Sequence, residues 1–150
     1  MMGFQRQRGI SLIELMLAML VLSVGLLGVA ALQTTTIRSS QSSQQRVVAV
    51  TLATNMAERI RANATQALSG SYVLSKTCSV PSASGSLVSY EMNAWLSEIK
   101  AGLGRTTDST SCGQVTYNAA ARTYTVTVFW DDSRALAGST NTSFNYVVRL

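Results

Sequence analysis

The 150-residue chain has no histidine, only two cysteines, a single proline and few charged side chains. Each shortage removes a class of function. Without histidine there is no His-based catalytic triad, no imidazole metal ligand and no histidine acid–base pair. Cys78 and Cys112 cannot build a four-ligand zinc site unaided. No glycine-rich phosphate loop is present. Lys and Arg outnumber Asp and Glu by 12 to 7, for a net charge of +5. That is mildly basic, far from the dense Lys/Arg stripe of a dedicated nucleic-acid binder. Some short patterns match ligand or catalytic motifs without support. Ser97-Glu98-Ile99-Lys100 has the Ser-x-x-Lys spacing of a β-lactamase nucleophile but none of the companion motifs. Asp108, Asp131 and Asp132 lack the spacing of a calcium loop and read as turn residues. Two glycosylation sequons, at Asn63 and Asn141, are chance matches expected in so Ser/Thr-rich a chain. No enzymatic activity, metal or cofactor is expected.

What is present is very unevenly spread. The 23 residues 10–32 carry one charge, Glu14, whereas the rest is polar and rich in Ser and Thr. The apolar run is long enough to cross a bilayer as a helix, which takes about 20 residues. Arg6 and Arg8 precede it, and basic residues before such a span stay on the cytoplasmic side. No small-x-small cleavage site follows the run, so it is not an ordinary secretory signal.

Glu14 is the anomaly. A carboxylate this deep in an apolar span costs about 2.5–3.5 kcal/mol on insertion scales, so it calls for a partner of opposite charge. The alternative is that it lies near the interface and snorkels. Cleavage after Gly9 would create a suitable cation, the α-amino group of Ile10. Within a chain that amine lies one helical turn from Glu14. Between chains, Glu14 of one stem can meet the Ile10 amine of its neighbour and set the axial register.

Gly9-Ile10-Ser11-Leu12-Ile13-Glu14 closely resembles the prepilin processing motif of type IV pilins and of type II secretion pseudopilins. The resemblance implies that a prepilin peptidase cuts between Gly9 and Ile10 and methylates the new Ile10 amine. It also implies that Glu14, fifth in the mature chain, guides packing into a filament. Ile10 stands where the family usually has Phe, and Ser11 where Thr is common; both changes are mild. Residues Val21–Gln33 and Ala57–Asn63 look like the PilV-type minor pilins of the type IV pilus. That resemblance implies a minor pilin in a complex that initiates or caps the pilus and supports twitching motility. The partners implied are other minor pilins, the major pilin, the inner-membrane assembly platform and a tip adhesin. Two alternatives stay open. One is a type II secretion pseudopilin. The other is a DNA-binding pilin of an uptake system, whose candidate cations would be Arg105, Arg122, Arg134 and Arg149.

The expected organisation is a leader over 1–9 and one helix to about Asn63, with a membrane or filament-core half over 10–32 and an amphipathic half over 33–63. Residues 38–46 have no apolar side chain, but no Gly or Pro interrupts the join. Beyond it, Val48, Leu52, Met56 and Ile60 recur every four residues beside Ala49, Ala53 and Ala57, a buried stripe. Gly25 and Gly28 either allow close stem packing or are neutral. Arg59 and Arg61 suit the helix C-terminus, with solvation slightly preferred over a partner contact. The head, 64–150, opens with an irregular Ser/Gly-rich stretch holding Pro81, in which Tyr72–Leu74 is a candidate short strand. A helix capped by Ser89 runs to about Leu103, ended by Gly102 and Gly104, with Met92, Trp95, Leu96, Ile99 and Leu103 on one face. Strands follow at Gln114–Tyr117, Arg122–Trp130 and Ser143–Leu150. Three antiparallel strands against the long helix make an α+β layer, and the resemblance implies the same type IV pilin fold, with the head in the periplasm. In an exported domain the isolated pair Cys78 and Cys112 is expected to form a disulfide, contributing roughly 3–4 kcal/mol.

Overall fold

A computed structural model describes residues 11–104 and 107–150. Helix α1 runs Leu12–Ala62, 51 residues. Its polar middle has no Gly or Pro to interrupt it, and the hydroxyls there fold back on the helix: Thr34, Thr35 and Thr36 Oγ1 donate to Ala30, Ala31 and Leu32 O, and Ser43 to Ser39 O. The chain divides into two compact units, residues 1–37 and 38–150.

In the first unit every described residue is exposed. Leu12, Met16, Leu20 and Leu27 are among the large apolar side chains left uncovered. This segment is long and apolar enough to cross a membrane.

In the second unit α1 buries Ala49, Leu52, Ala53, Met56, Ala57 and Ile60, the stripe that the four-residue spacing predicts, with Val48 partly covered. A short helix, α2 (Ala64–Leu68), follows, in a stretch expected to be irregular. The chain then turns at Gly70, whose φ of +78° favours glycine. The first strand is β1 (Leu74–Thr77), two residues later than the expected start at Tyr72. Tyr72 instead points into the core and is fully buried.

Helix α3 spans Leu87–Leu103. Its N-cap is Ser86 rather than Ser89: the Ser86 hydroxyl accepts from Ser89 N at 3.2 Å. Gly104 ends it, but Gly102 does not. Gly102 lies inside the helix where a Cβ would sit 2.9 Å from Val48 Cγ1, so it marks the close approach of α3 to α1. The predicted face, Met92, Trp95, Leu96, Ile99 and Leu103, is buried, and Trp95 Nε1 donates to Leu52 O at 2.9 Å.

Strands β2 (Cys112–Asn118), β3 (Thr123–Trp130) and β4 (Thr142–Arg149) complete the sheet. Among the described residues the sheet has four strands in the order β1-β2-β3-β4, each neighbour antiparallel, so the short early strand joins the three later ones. The period-2 pattern places Tyr124, Val126, Val128 and Trp130 in the core with Val115 and Val148. Gly113 lies under the Trp95 ring, where a Cβ would come within 2.6 Å of Cζ3. The architecture is a long N-terminal apolar helix with a small antiparallel sheet, an α+β fold.

Candidate assembly site

Between Leu12 and Leu32 only two side chains are polar, Glu14 and Ser23. Ser23 satisfies itself by donating to Leu20 O at 2.8 Å. Glu14 sits in the first turn of α1, where its backbone N–H donates to Ser11 O at 3.0 Å. Its carboxylate has no partner among the described residues. A carboxylate at a helix start is favoured by the local dipole, but only by a few tenths of a kcal/mol to about 1 kcal/mol. That is smaller than the cost of taking it into hydrocarbon, where the charge would call for a cation. Leu17, Ala18, Val21 and Leu22 continue the face that carries Glu14. A Cβ at Gly25 or Gly28 would meet nothing within 4 Å, so neither glycine is needed for packing within this chain. Gly9 and Ile10 lie outside the described residues.

A row of large apolar side chains with no cover among the described residues is unstable in water. Each such residue is worth about 1.5–3 kcal/mol when buried. The segment therefore requires lipid or the stems of other chains around it.

The head is built differently. Cys78 and Cys112 are bonded, with an S–S distance of 2.01 Å. The bond ties the segment after β1 to the first residue of β2. Arg59 is not merely solvated: its guanidinium pairs with Glu98 Oε1 at 2.7 Å and donates to Glu91 O at 3.2 Å, joining α1 to α3. Arg61 stays on its own helix, paired with Glu58. Tyr72 donates to the Glu91 carboxylate and accepts from Asn63 Nδ2. Burial, aided by the Glu91 bond, pushes the Tyr72 phenol up to about 12. Burial also raises Tyr124, whose hydroxyl donates to Ala67 O at 2.6 Å. Sequence reasoning missed this network. The available signal was Glu91 and Glu98, two turns apart on one face of α3.

The remaining motifs dissolve on inspection of their surroundings. Ser97 donates to Asn93 O, while Lys100 is 1% exposed and donates to Asp108 O at 2.6 Å. The two make no nucleophile–base pair. The three aspartates are each engaged by hydrogen bonds within the chain. Asp108 accepts from Thr110 N, Ser111 N and Lys100 Nζ, and Asp132 accepts from Ser42 Oγ at 2.7 Å. Asp131 accepts from Ser133 N, which holds its carboxyl below the usual range. No group of three metal-ligating side chains occurs among the described residues. Asn63 is committed to Tyr72. Arg122 and Arg149 are adjacent at one end of the β3–β4 ladder, where Thr123 faces Arg149, but Arg134 follows the opposite end of β3. Arg105 lies outside the described residues.

Two family models match the chain. Residues 4–30 match the prokaryotic N-terminal methylation motif, and residues 31–85 match the type IV pilin Tt1218. No curated protein and no solved structure matches it.

Proposed function

We propose that this type IV pilin-like chain is a minor pilin of the type IV pilus, of the PilV type. Type IV pilins are structural proteins, not enzymes. With its N-methylation motif and apolar helix the chain is membrane-anchored, processed by a prepilin peptidase and assembled with other pilins. In the proposed reading the peptidase cuts between Gly9 and Ile10 and the Ile10 amine is methylated. Residues 1–9 are the leader and remain cytoplasmic. Residues 10–32 lie in the inner membrane and later in the filament core. Residues 33–63 continue the helix under the periplasmic head, 64–150.

Glu14 carries the proposal. It is the one charge in an exposed apolar stem, and it stands five positions into the chain that cleavage at Gly9 would leave. Two opposite charges a few ångströms apart in a low-dielectric medium attract strongly, and each left alone there is penalised. A neighbour's Ile10 amine at the depth of Glu14 satisfies both. Stems out of register by one turn would leave both charges unpaired, so the pair selects one axial offset. The minor role, in a complex that starts or caps the pilus with the major pilin, the assembly platform and a tip adhesin, is supported by the likeness of Val21–Gln33 and Ala57–Asn63 to PilV-type minor pilins.

Intact-mass analysis of protein from sheared surface filaments, for wild type and Glu14→Ala, tests the reading. The expected result is a mass beginning at methylated Ile10 in wild-type filaments, with at least ten-fold less of the variant incorporated. A full-length mass confined to membranes would overturn it. Loss of surface pili with secretion intact on deletion separates a pilus subunit from a secretion pseudopilin.

A further inference from the structure

We propose that the free edge of β4 is a strand-pairing surface, and that its occupant is the first head strand of a neighbouring, different pilin. The proposal rests on the assembly reading above and names a contact within it.

The two edges of the sheet are not alike. A sheet edge offers unpaired N–H and C=O groups to any passing strand, and folded proteins blunt it with short strands, lysines, bulges or prolines. Edge β1 has three of these devices: four residues, Lys76 in its middle, and a register shift between Leu74 and Thr77. Edge β4 has none. It is eight residues long, Thr-Ser-Phe-Asn-Tyr-Val-Val-Arg, without Pro, Gly or Lys, and its register on β3 is unbroken. Its single charge, Arg149, is at the end.

The direction of the backbone groups follows from one bond. Leu150 N donates to Arg122 O at 3.0 Å, one step beyond the Thr123–Arg149 pair. In an antiparallel ladder hydrogen-bonded and non-hydrogen-bonded pairs alternate. Val148, Tyr146 and Phe144 therefore bond to β3, and Ser143, Asn145, Val147 and Arg149 turn their N–H and C=O groups outward. The side chains point the same way. On β3 the core-facing residues Tyr124, Val126 and Val128 are fully buried, whereas Phe144, Tyr146 and Leu150 on β4 are only half-covered. Val147, on the other face, is 61% exposed. One further strand would satisfy the backbone and cover both faces.

The occupant follows from symmetry. Two copies paired β4 to β4 would be related by a two-fold axis normal to the sheet. That axis reverses the head portion of α1, so chains anchored through α1 in one membrane cannot pair this way. A neighbour with α1 in the same sense and the same strand order presents its first strand, which runs antiparallel to this β4 and continues the alternation. This chain's own β1 is short, bulged and carries Lys76 in its middle. The partner is therefore a different pilin with a longer first strand, one bearing a carboxylate where it passes the Arg122–Arg149 end.

The test uses the full-length chain in cells that assemble pili. A photo-crosslinking phenylalanine replaces Asn145 or Val147 on the edge, Thr116 on the exposed face of β2 as a control, or Leu20 in the stem. Adducts are identified by peptide sequencing. Asn145 and Val147 are expected to capture the first head strand of another pilin at least ten-fold above Thr116. Asn145→Pro removes an outward N–H but no bond to β3, and should abolish capture from Val147 while leaving the disulfide and the Leu20 adducts intact. If proline unfolds the head, Asn145→Lys serves instead, with the same expectation. Adducts from Leu20 without any from the edge overturn this proposal alone. Edge adducts only to a second copy, or to a protein that is not a pilin, overturn it as well. Absence of Leu20 adducts to pilins overturns the assembly reading and this one with it.

Discussion

Leu22 and Leu96 are the same side chain in the same kind of secondary structure, yet one is 64% exposed and the other wholly buried. The difference is not in the helices. Around Leu96 the chain supplies Trp95, Met92 and the α1 stripe, and a sheet whose residues alternate inward. Around Leu22 the described residues of its own unit supply no cover, since 12–37 form a single stretch of helix. The head solves its burial problem within one chain. The stem exports it to lipid and to other chains. Glu14 lies in the region without cover, where an unpaired charge is most costly and so most selective for a partner.

That contrast can be attacked directly. Leu96→Ala is expected to destabilise the head by about 2–5 kcal/mol in chemical denaturation, whereas Leu22→Ala leaves the head's denaturation midpoint unchanged. A stability loss from Leu22→Ala would show that the stem packs on something within the chain. Removing the disulfide with the double change Cys78→Ser and Cys112→Ser should cost the head about 3–4 kcal/mol, with membrane insertion of the stem unaltered as judged by carbonate extraction.

A smaller effect is expected from base. The folded-state value for Tyr72 is about 12, above the usual 10. Its contribution is therefore complete below pH 10 and is lost as pH rises through 12, on the order of 2 kcal/mol for a shift of this size. Tyr124, raised in the same direction, adds to the slope. Stability measured between pH 9 and 12 should fall, and Tyr72→Phe should flatten the fall. The smallest change is a gain. Arg122 has φ +52°, a left-handed conformation that costs a side-chain residue about 1–2 kcal/mol. Arg122→Gly relieves it at the expense of unfolded-state entropy, so thermal melting should rise by a few tenths of a kcal/mol to about 1 kcal/mol equivalent.

How much of this was legible beforehand varies with the range of the interaction. The α1 stripe, the α3 face and strands β2, β3 and β4 follow from periodicity, which is written in neighbouring residues. The polar stretch 38–46 is compatible with a linker by composition, and the lack of Gly and Pro that lets it stay helical is also local. Strand β1 was misplaced because Tyr72-Val73-Leu74 has the better strand composition, but Tyr72 is drawn inward by Glu91 and Asn63, 19 and 9 residues away. Gly102 reads as a terminator in isolation and is instead a contact with Val48. Arg59 reads as a solvated cation until α3 brings Glu98 to it.

The sequence by itself determined the apolar stem, the single carboxylate within it, the motif ahead of it and the alternation of the later strands, since each is set by residue type and spacing along one segment. Only the tertiary structure decided the bounds of β1 and its place at the sheet edge, the inward turn of Tyr72, the Arg59 bridge, the burial of Lys100 and the unequal sheet edges. Those depend on which distant segments meet, and the free energy of such contacts belongs to pairs of residues that no local pattern relates.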